Sequence, residues 1–177
     1  MSTVQAETRV HVGEGETRIE SDAHLVLTTV LGSCVAACIF DRTARTGGMN
    51  HFLLSGEGGT GAGAAERYGA FLMEVLVNGL LARGAKRGRL EAKLFGGSRI
   101  GATRGDIGEA NATFAKGFLA MENIPLLGGS LGGTSARRVE FWPTSGRARQ
   151  IALANEPPPP APPPRPALAD LGEVEFF

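Results

Sequence analysis

"HLVLTTVLGSCVAACIFDRTARTGGMNHFLL" (residues 24–54) carries three apolar runs separated by two short breaks, and its reading decides the fold. "HLVLTTVL" (24–31) is rich in β-branched residues and reads as a buried strand. "CVAACIF" (34–40) reads as a second strand, although so short an apolar run is also compatible with a helix. Asp41 and residues 42–48 read as a turn, and "MNHFLL" (49–54) as the third strand. Strands that follow one another through short turns point to antiparallel pairing, because a parallel neighbour needs a long crossover.

Outward from this stretch, "TRVHVGEG" (8–15) reads as an opening strand closed by glycine, and "GEGGTGAG" (56–63) as a loop. From Ala64 to Arg83, the residues Tyr68, Phe71, Leu72, Val75, Leu76, Leu80 and Leu81 recur at helical spacing, with Gly84 placed to end the helix. "RLEAKLFGG" (89–97) reads as a strand ending in glycines. A second helix is expected over about 108–123, with Phe114, Ala115, Phe118 and Leu119 inward and Pro125 just past its end. "IPLLGGSL" and "RRVEFWP" read as strands, and "TSG" (144–146) turns the latter into "RARQIAL". The expectation is an α/β fold with a mixed or antiparallel sheet and two main helices, not a pure βαβ repeat.

With 177 residues, 18 Lys and Arg against 18 Asp and Glu, the chain suits one domain with an appendage and lacks the basic balance of a nucleic-acid binder. No run approaches the roughly 18 apolar residues of a membrane span. The first residues, "MSTVQAETRV", do not read as a signal peptide, so a cytoplasmic, reducing setting is expected. Composition changes sharply near residue 155. Residues 1–154 form the expected domain, 155–166 a linker holding the polyproline tract "PPPPAPPPRP", and 167–177 a short acidic-apolar peptide, "ALADLGEVEFF". Polyproline favours a stiff extended spacer. At its end Phe176 and Phe177, beside Glu173 and Glu175, read either as a tolerated extension or as a docking peptide that raises the local concentration of the domain near a partner.

Two cysteines four apart make no disulfide framework, and no second Cys or His pair completes a zinc spacing, so neither metal nor cofactor is expected. The glycine-rich "FGGSRIGATRGDIG" (95–108) lacks the Gly-Lys-Ser/Thr of a phosphate loop and reads as a loop beside the active site or a surface for a partner. A free cysteine usually behaves as a small hydrophobe, and Cys38, deep inside an apolar run, fits that role. Cys34 differs. It follows Gly32-Ser33, where a tight turn exposes amides able to lower a thiol pKa and to hold an oxyanion. His51 interrupts the apolar run 49–54 and needs a polar partner there. If the second and third strands are neighbours, a thiol at the start of one can meet an imidazole near the start of the other.

"TTVLGSCVAACIFD" followed by "GGMNHFLL", then "LEAKLFGGS", "IGEANATF", "IPLLGGSLGG" and "RRVEFWPTSGRARQ", resembles the CheD family of chemoreceptor glutamine deamidases over about residues 8–154. The resemblance implies an α/β sandwich similar to papain-like deamidating toxins. It implies Cys34 as nucleophile, His51 as its histidine and Thr28, six residues before the cysteine, as the active-site threonine orienting the imidazole. Read from the residues alone, Thr28 is an ordinary strand threonine and Thr29 is equally eligible. The backbone amides of Ser33 and Cys34 are the oxyanion candidates. The departures are Ser55, where family members carry a proline, and Gly129 and Ser130, where acidic residues are common.

The implied activity is that of a protein-glutamine glutaminase: a γ-glutamyl thioester on Cys34, ammonia released, then hydrolysis to glutamate. The implied partners are the cytoplasmic helices of chemoreceptors and a CheC-like phosphatase. The alternatives are a chemotaxis adaptor that binds such a phosphatase with little catalysis, and a cysteine amidase acting on a free small molecule.

Overall fold

The computed structural model describes residues 6–54, 63–101 and 107–153. The linker and terminal peptide expected at 155–177, all but Gly63 of the loop expected at 56–63 and part of the glycine-rich stretch lie outside these residues. In chain order the elements are β1 (Thr8–His11), β2 (Thr17–Glu20), β3 (Leu25–Leu31), β4 (Val35–Asp41), β5 (Thr46–Phe52), α1 (Ala64–Ala82), β6 (Glu91–Gly96), α2 (Ile107–Met121), β7 (Leu126–Leu131), β8 (Arg137–Trp142) and β9 (Arg147–Ala152). They form a four-stranded sheet, β1-β3-β8-β9, and a five-stranded sheet, β2-β5-β4-β6-β7. Pairs β1–β3 and β6–β7 are parallel and the other pairs antiparallel, so both sheets are mixed. This is the mixed α/β architecture with two helices that the patterning points to. No helix among the described residues is long and apolar enough to cross a membrane.

Strand β4 explains the layering. All seven of its residues are buried. Val35, Ala37 and Ile39 pack into a cluster with Leu72, Met73, Leu76 and Leu80 of α1 and with Ala115, Phe118 and Leu119 of α2. The alternate residues Ala36, Cys38 and Phe40 pack with Leu27 and Leu31 of β3 and with Val139 and Phe141 of β8. An unbroken apolar run is therefore a strand covered on both faces, by the helices on one side and by the second sheet on the other. It ends as a strand because buried Asp41 turns the chain: its Oδ1 accepts from the amides of Thr43 and Ala44 at 2.9 and 3.0 Å.

The third apolar run begins earlier than its pattern suggests. Gly47 and Gly48 read as turn residues, yet they lie inside β5. A Cβ on Gly47 would come within 2.4 Å of Pro143 O, and one on Gly48 within 2.6 Å of a Leu76 methyl. The strand is pressed between layers where no side chain fits. Helix α1 matches its expected span but not its expected face. Leu72, Met73, Leu76, Val77 and Leu80 are buried, whereas Tyr68, Phe71 and Val75 are 44%, 59% and 38% exposed. Its apolar residues encircle much of the helix, so spacing alone could not select the stripe. The amide of Ala85 bonds Leu80 O and that of Gly84 bonds Leu81 O, closing the helix as Gly84 foretold. Strand β2, "TRIE", has one apolar residue and gave no signal. It pairs at the edge of the five-stranded sheet against β5.

Candidate active site

Alternation along the strands puts Cys34 and His51 on one face. Cys34 ends the Gly32-Ser33-Cys34 turn and shares the inter-sheet side of Ala36 and Cys38, and its side chain packs partly into that cluster. On β5, Met49 and His51 face the same layer, while Asn50 faces α1, donating to Leu72 O. Strands β4 and β5 are antiparallel neighbours with Ala36 opposite His51, so Cys34 is the diagonal neighbour of the histidine. The encounter expected between two strand starts is instead a start beside an end: the antiparallel register sets the head of β4 against the last residues of β5. A nitrogen of His51, the Cys34 sulfur and a carboxylate oxygen of Glu14 lie within 4.8 Å of one another. Cys38 is fully buried in the inter-sheet core.

The imidazole is held by Thr29, not by Thr28. Thr29 Oγ1 lies 2.7 Å from Val12 O and 2.9 Å from His51 Nδ1, and Nδ1 is 3.3 Å from Val12 O. A hydroxyl has one proton. Given to Val12 O, it leaves Thr29 Oγ1 to accept from Nδ1–H; given to Nδ1, it would leave the Val12 carbonyl oxygen facing both Thr29 Oγ1 and Nδ1 with no proton between them. The network thus assigns the proton to Nδ1 and leaves Nε2 with its lone pair. Nε2 is buried and has no hydrogen-bond partner among the described residues. Thr28 lies on the other face of the strand. Leu27, Thr29 and Leu31 point into the inter-sheet layer, whereas Thr28 shares the opposite face with Val30, which is 42% exposed.

Electrostatics set both groups neutral at pH 7. Burial pushes the Cys34 thiol up to about 11, helped by the Glu14 carboxylate, whose Oε2 lies 3.8 Å from the sulfur, against a smaller opposing contribution from the Cys34 amide. Burial holds the His51 imidazole below its ordinary value. The arrangement is a thiol beside a neutral base, so proton transfer must accompany any attack by sulfur.

The turn bearing Cys34 is pinned from three sides. Asn111 of α2, fully buried, donates to Ser33 O and accepts from the Leu54 amide, each at 2.8 Å, joining the residue before the thiol to the chain just after His51. Its signal was present in "IGEANATF", but a lone Asn on a helix has no pattern that marks it. The amides of Gly97 and Ser98 bond Cys34 O and Gly32 O at 2.8 and 2.9 Å. Gly96, at φ 105, permits this approach: a Cβ there would sit 2.1 Å from Cys34 O. The first part of the glycine-rich stretch therefore lies beside the site, as expected. A cleft of about 510 Å³ opens from Ser33 between Arg99, Ile107, Glu109, Lys116 and Thr134.

A family model described as CheD chemotactic sensory transduction matches residues 53–150, a span that starts just after His51. A protein of Caulobacter vibrioides (strain NA1000 / CB15N) named "Probable chemoreceptor glutamine deamidase CheD" is 54% identical over 179 residues, covering 96% of this chain and 93% of its own. One of the same name from Agrobacterium fabrum (strain C58 / ATCC 33970) is 55% identical over 149 residues, covering 84% and 82%. Among solved structures, Neisseria meningitidis protein NMB0706 aligns over 85% of this chain and 76% of its own, with a TM-score of 0.46 at 13% identity.

Proposed function

The chain belongs to the CheD family, and from that membership we propose that it is a cysteine hydrolase, a protein-glutamine glutaminase that converts glutamines of chemotaxis receptors to glutamate in the cytoplasm. The observation that carries the reading is the Cys34–His51 pair: sulfur and ring nitrogen within 4.8 Å, with Nδ1 engaged by Thr29 and Nε2 left unpartnered. His51 Nε2 takes the thiol proton as Cys34 Sγ attacks the side-chain amide carbon. The amides at Ser33 and Cys34 are the candidate donors to the oxyanion. The imidazolium returns its proton to the amide nitrogen, the C–N bond breaks, ammonia leaves, and a γ-glutamyl thioester remains. His51 then removes a proton from water, whose oxygen attacks the thioester. The C–S bond breaks, the thiolate recovers its proton, and the side chain is released as a carboxylic acid.

Thr29 acts through the histidine. Its hydroxyl fixes the ring and the tautomer, the duty that a carboxylate performs in triads. The test is mass spectrometry of receptor cytoplasmic fragments incubated with the purified protein. Glutamines should gain the mass that replaces an amide by an acid, and Cys34→Ala should abolish the gain. Unmodified glutamines with wild-type protein would favour the adaptor reading, with a CheC-like phosphatase as its partner.

A further inference from the structure

Glu14 has no part in that mechanism, yet its carboxylate stands over the thiol. It occupies the turn between β1 and β2, flanked by Gly13 and Gly15. The Gly15 amide bonds His51 O at 2.7 Å, and the Glu16 carboxylate accepts from the Gly13 amide at 2.8 Å, which hold the turn against the end of β5. Sulfur, imidazole and carboxylate are three of the donors zinc accepts. With bonds of about 2.3 Å to sulfur and about 2.1 Å to nitrogen and oxygen, a tetrahedral zinc ion sets its ligand atoms about 3.4–3.6 Å apart. Glu14 Oε2 and Cys34 Sγ are already 3.8 Å apart, and the three ligand atoms all lie within 4.8 Å. Rotation of the Glu14 and Cys34 side chains closes the remainder.

The histidine supplies the independent observation. His51 is 6% exposed and its Nε2 has no hydrogen-bond partner among the described residues. Its Nδ1 is bonded to Thr29 Oγ1 and Val12 O, the outer support that fixes a metal-bound imidazole. We propose that Glu14, Cys34 and His51 bind one zinc ion and that the ion holds the protein in a reversibly inhibited state. The inhibition rests on the catalytic reading above; the binding does not. On binding, the Cys34 S–H bond gives its proton to solvent and the sulfur becomes a ligand. Thiolate and carboxylate then balance the two positive charges, and the lone pair of the base is occupied. A hard cation such as magnesium, which selects oxygen donors, is not accommodated. The donors at positions 14, 34 and 51 have no motif spacing, which is why the sequence showed no metal site.

The full chain, stripped with a chelator and desalted, is titrated with zinc chloride against a chromophoric chelator, and Cys34 alkylation by iodoacetamide is followed by peptide mass mapping. One equivalent of zinc should bind and shield Cys34, and magnesium should not compete. Cys34→Ala should lose the binding, and Glu14→Gln should weaken it by about tenfold or more, since loss of even an outer partner costs that much. Absence of zinc binding by the wild type, or equal affinity in Glu14→Gln, overturns the site. These readouts need no catalysis, so they stand or fall apart from the deamidase assignment. Deamidation of receptor fragments should stop with zinc and resume with chelator; activity persisting in the zinc-loaded protein overturns the inhibitory role.

Discussion

Replacing Thr29 by valine removes one hydroxyl and almost no volume, and so isolates the hydrogen bonds that orient His51. The hydroxyl bridges two buried groups, Val12 O at 2.7 Å and Nδ1 at 2.9 Å. After its removal, Nδ1–H keeps only the longer contact of 3.3 Å to Val12 O. That contact preserves the tautomer but leaves the ring free to pivot about it. The expected stability loss is about 1–2 kcal/mol, the cost of weakening buried hydrogen bonds without opening a cavity. The expected rate loss is about tenfold to a hundredfold, the scale of a small misplacement of a catalytic group. It should fall mainly on kcat. Initial rates of ammonia release from a glutamine-bearing receptor fragment measure it, alongside urea denaturation for stability. Thr29→Ser, which retains the hydroxyl, should recover most of the rate. Thr28→Val, on the opposite face of the strand, should stay within about twofold of wild type, the effect of an ordinary surface change. A Thr28→Val loss equal to that of Thr29→Val, or full activity in Thr29→Val, would refute the assignment.

Glu14→Gln removes one of the influences that raise the Cys34 thiol pKa. More thiolate is then present at pH 7, and iodoacetamide should alkylate Cys34 about threefold to tenfold faster in metal-free protein, equivalent to half to one pKa unit; an unchanged rate counts against the contact. Asn111→Ala strands Ser33 O and the Leu54 amide, and should cost about 2–3 kcal/mol in urea denaturation with at least a tenfold fall in deamidation rate. Loss of stability with full activity would separate the clamp from the site. Asp41 is buried, which opposes its ionisation, but hydrogen bonds from Arg89 and from the amides of Ala44 and Lys86 prevail and hold its carboxyl at about 2. A pKa depressed on folding stabilises above the ordinary carboxylate value, and that stability is lost as pH falls toward 2. Asp41→Asn should therefore cost about 3 kcal/mol at pH 7, with the gap to wild type narrowing below pH 4, as seen by thermal denaturation across pH. A gap constant with pH would show that its charge is immaterial.

How far the sequence could be read depended on what each residue's neighbours revealed. Strands β3 and β4 and both helices were legible because their apolar runs are long and bounded by Gly32-Ser33, Asp41 and Gly84. Cys34 and His51 stood out as a thiol after a tight turn and an imidazole in an apolar run. Choosing between Thr28 and Thr29 required knowing which face of β3 meets the other sheet. Val26 and Val30 are as apolar as Leu27 and Leu31, so alternation within the strand did not break the tie. Gly47 and Gly48 misled because glycine signals a turn as readily as a close approach of layers. Glu14 and Asn111 were invisible for another reason: each reaches the site from a different element, and only the packing brings them there.

Strand β4, covered on both faces, has a consequence for motion. Its amides pair with β5 and β6 while its side chains belong to two cores at once. Opening it would disrupt both cores together, so its hydrogen exchange should proceed only through global unfolding. Glu14, by contrast, is exposed on a short turn between glycines. Cys34 precedes β4 and His51 lies opposite it on β5, so the thiol and imidazole flank the strand expected to exchange slowest and face an exposed turn. A long protein side chain that enters the site should therefore displace the Glu14 side chain rather than the β4–β5 pair that sets the sulfur and nitrogen side by side.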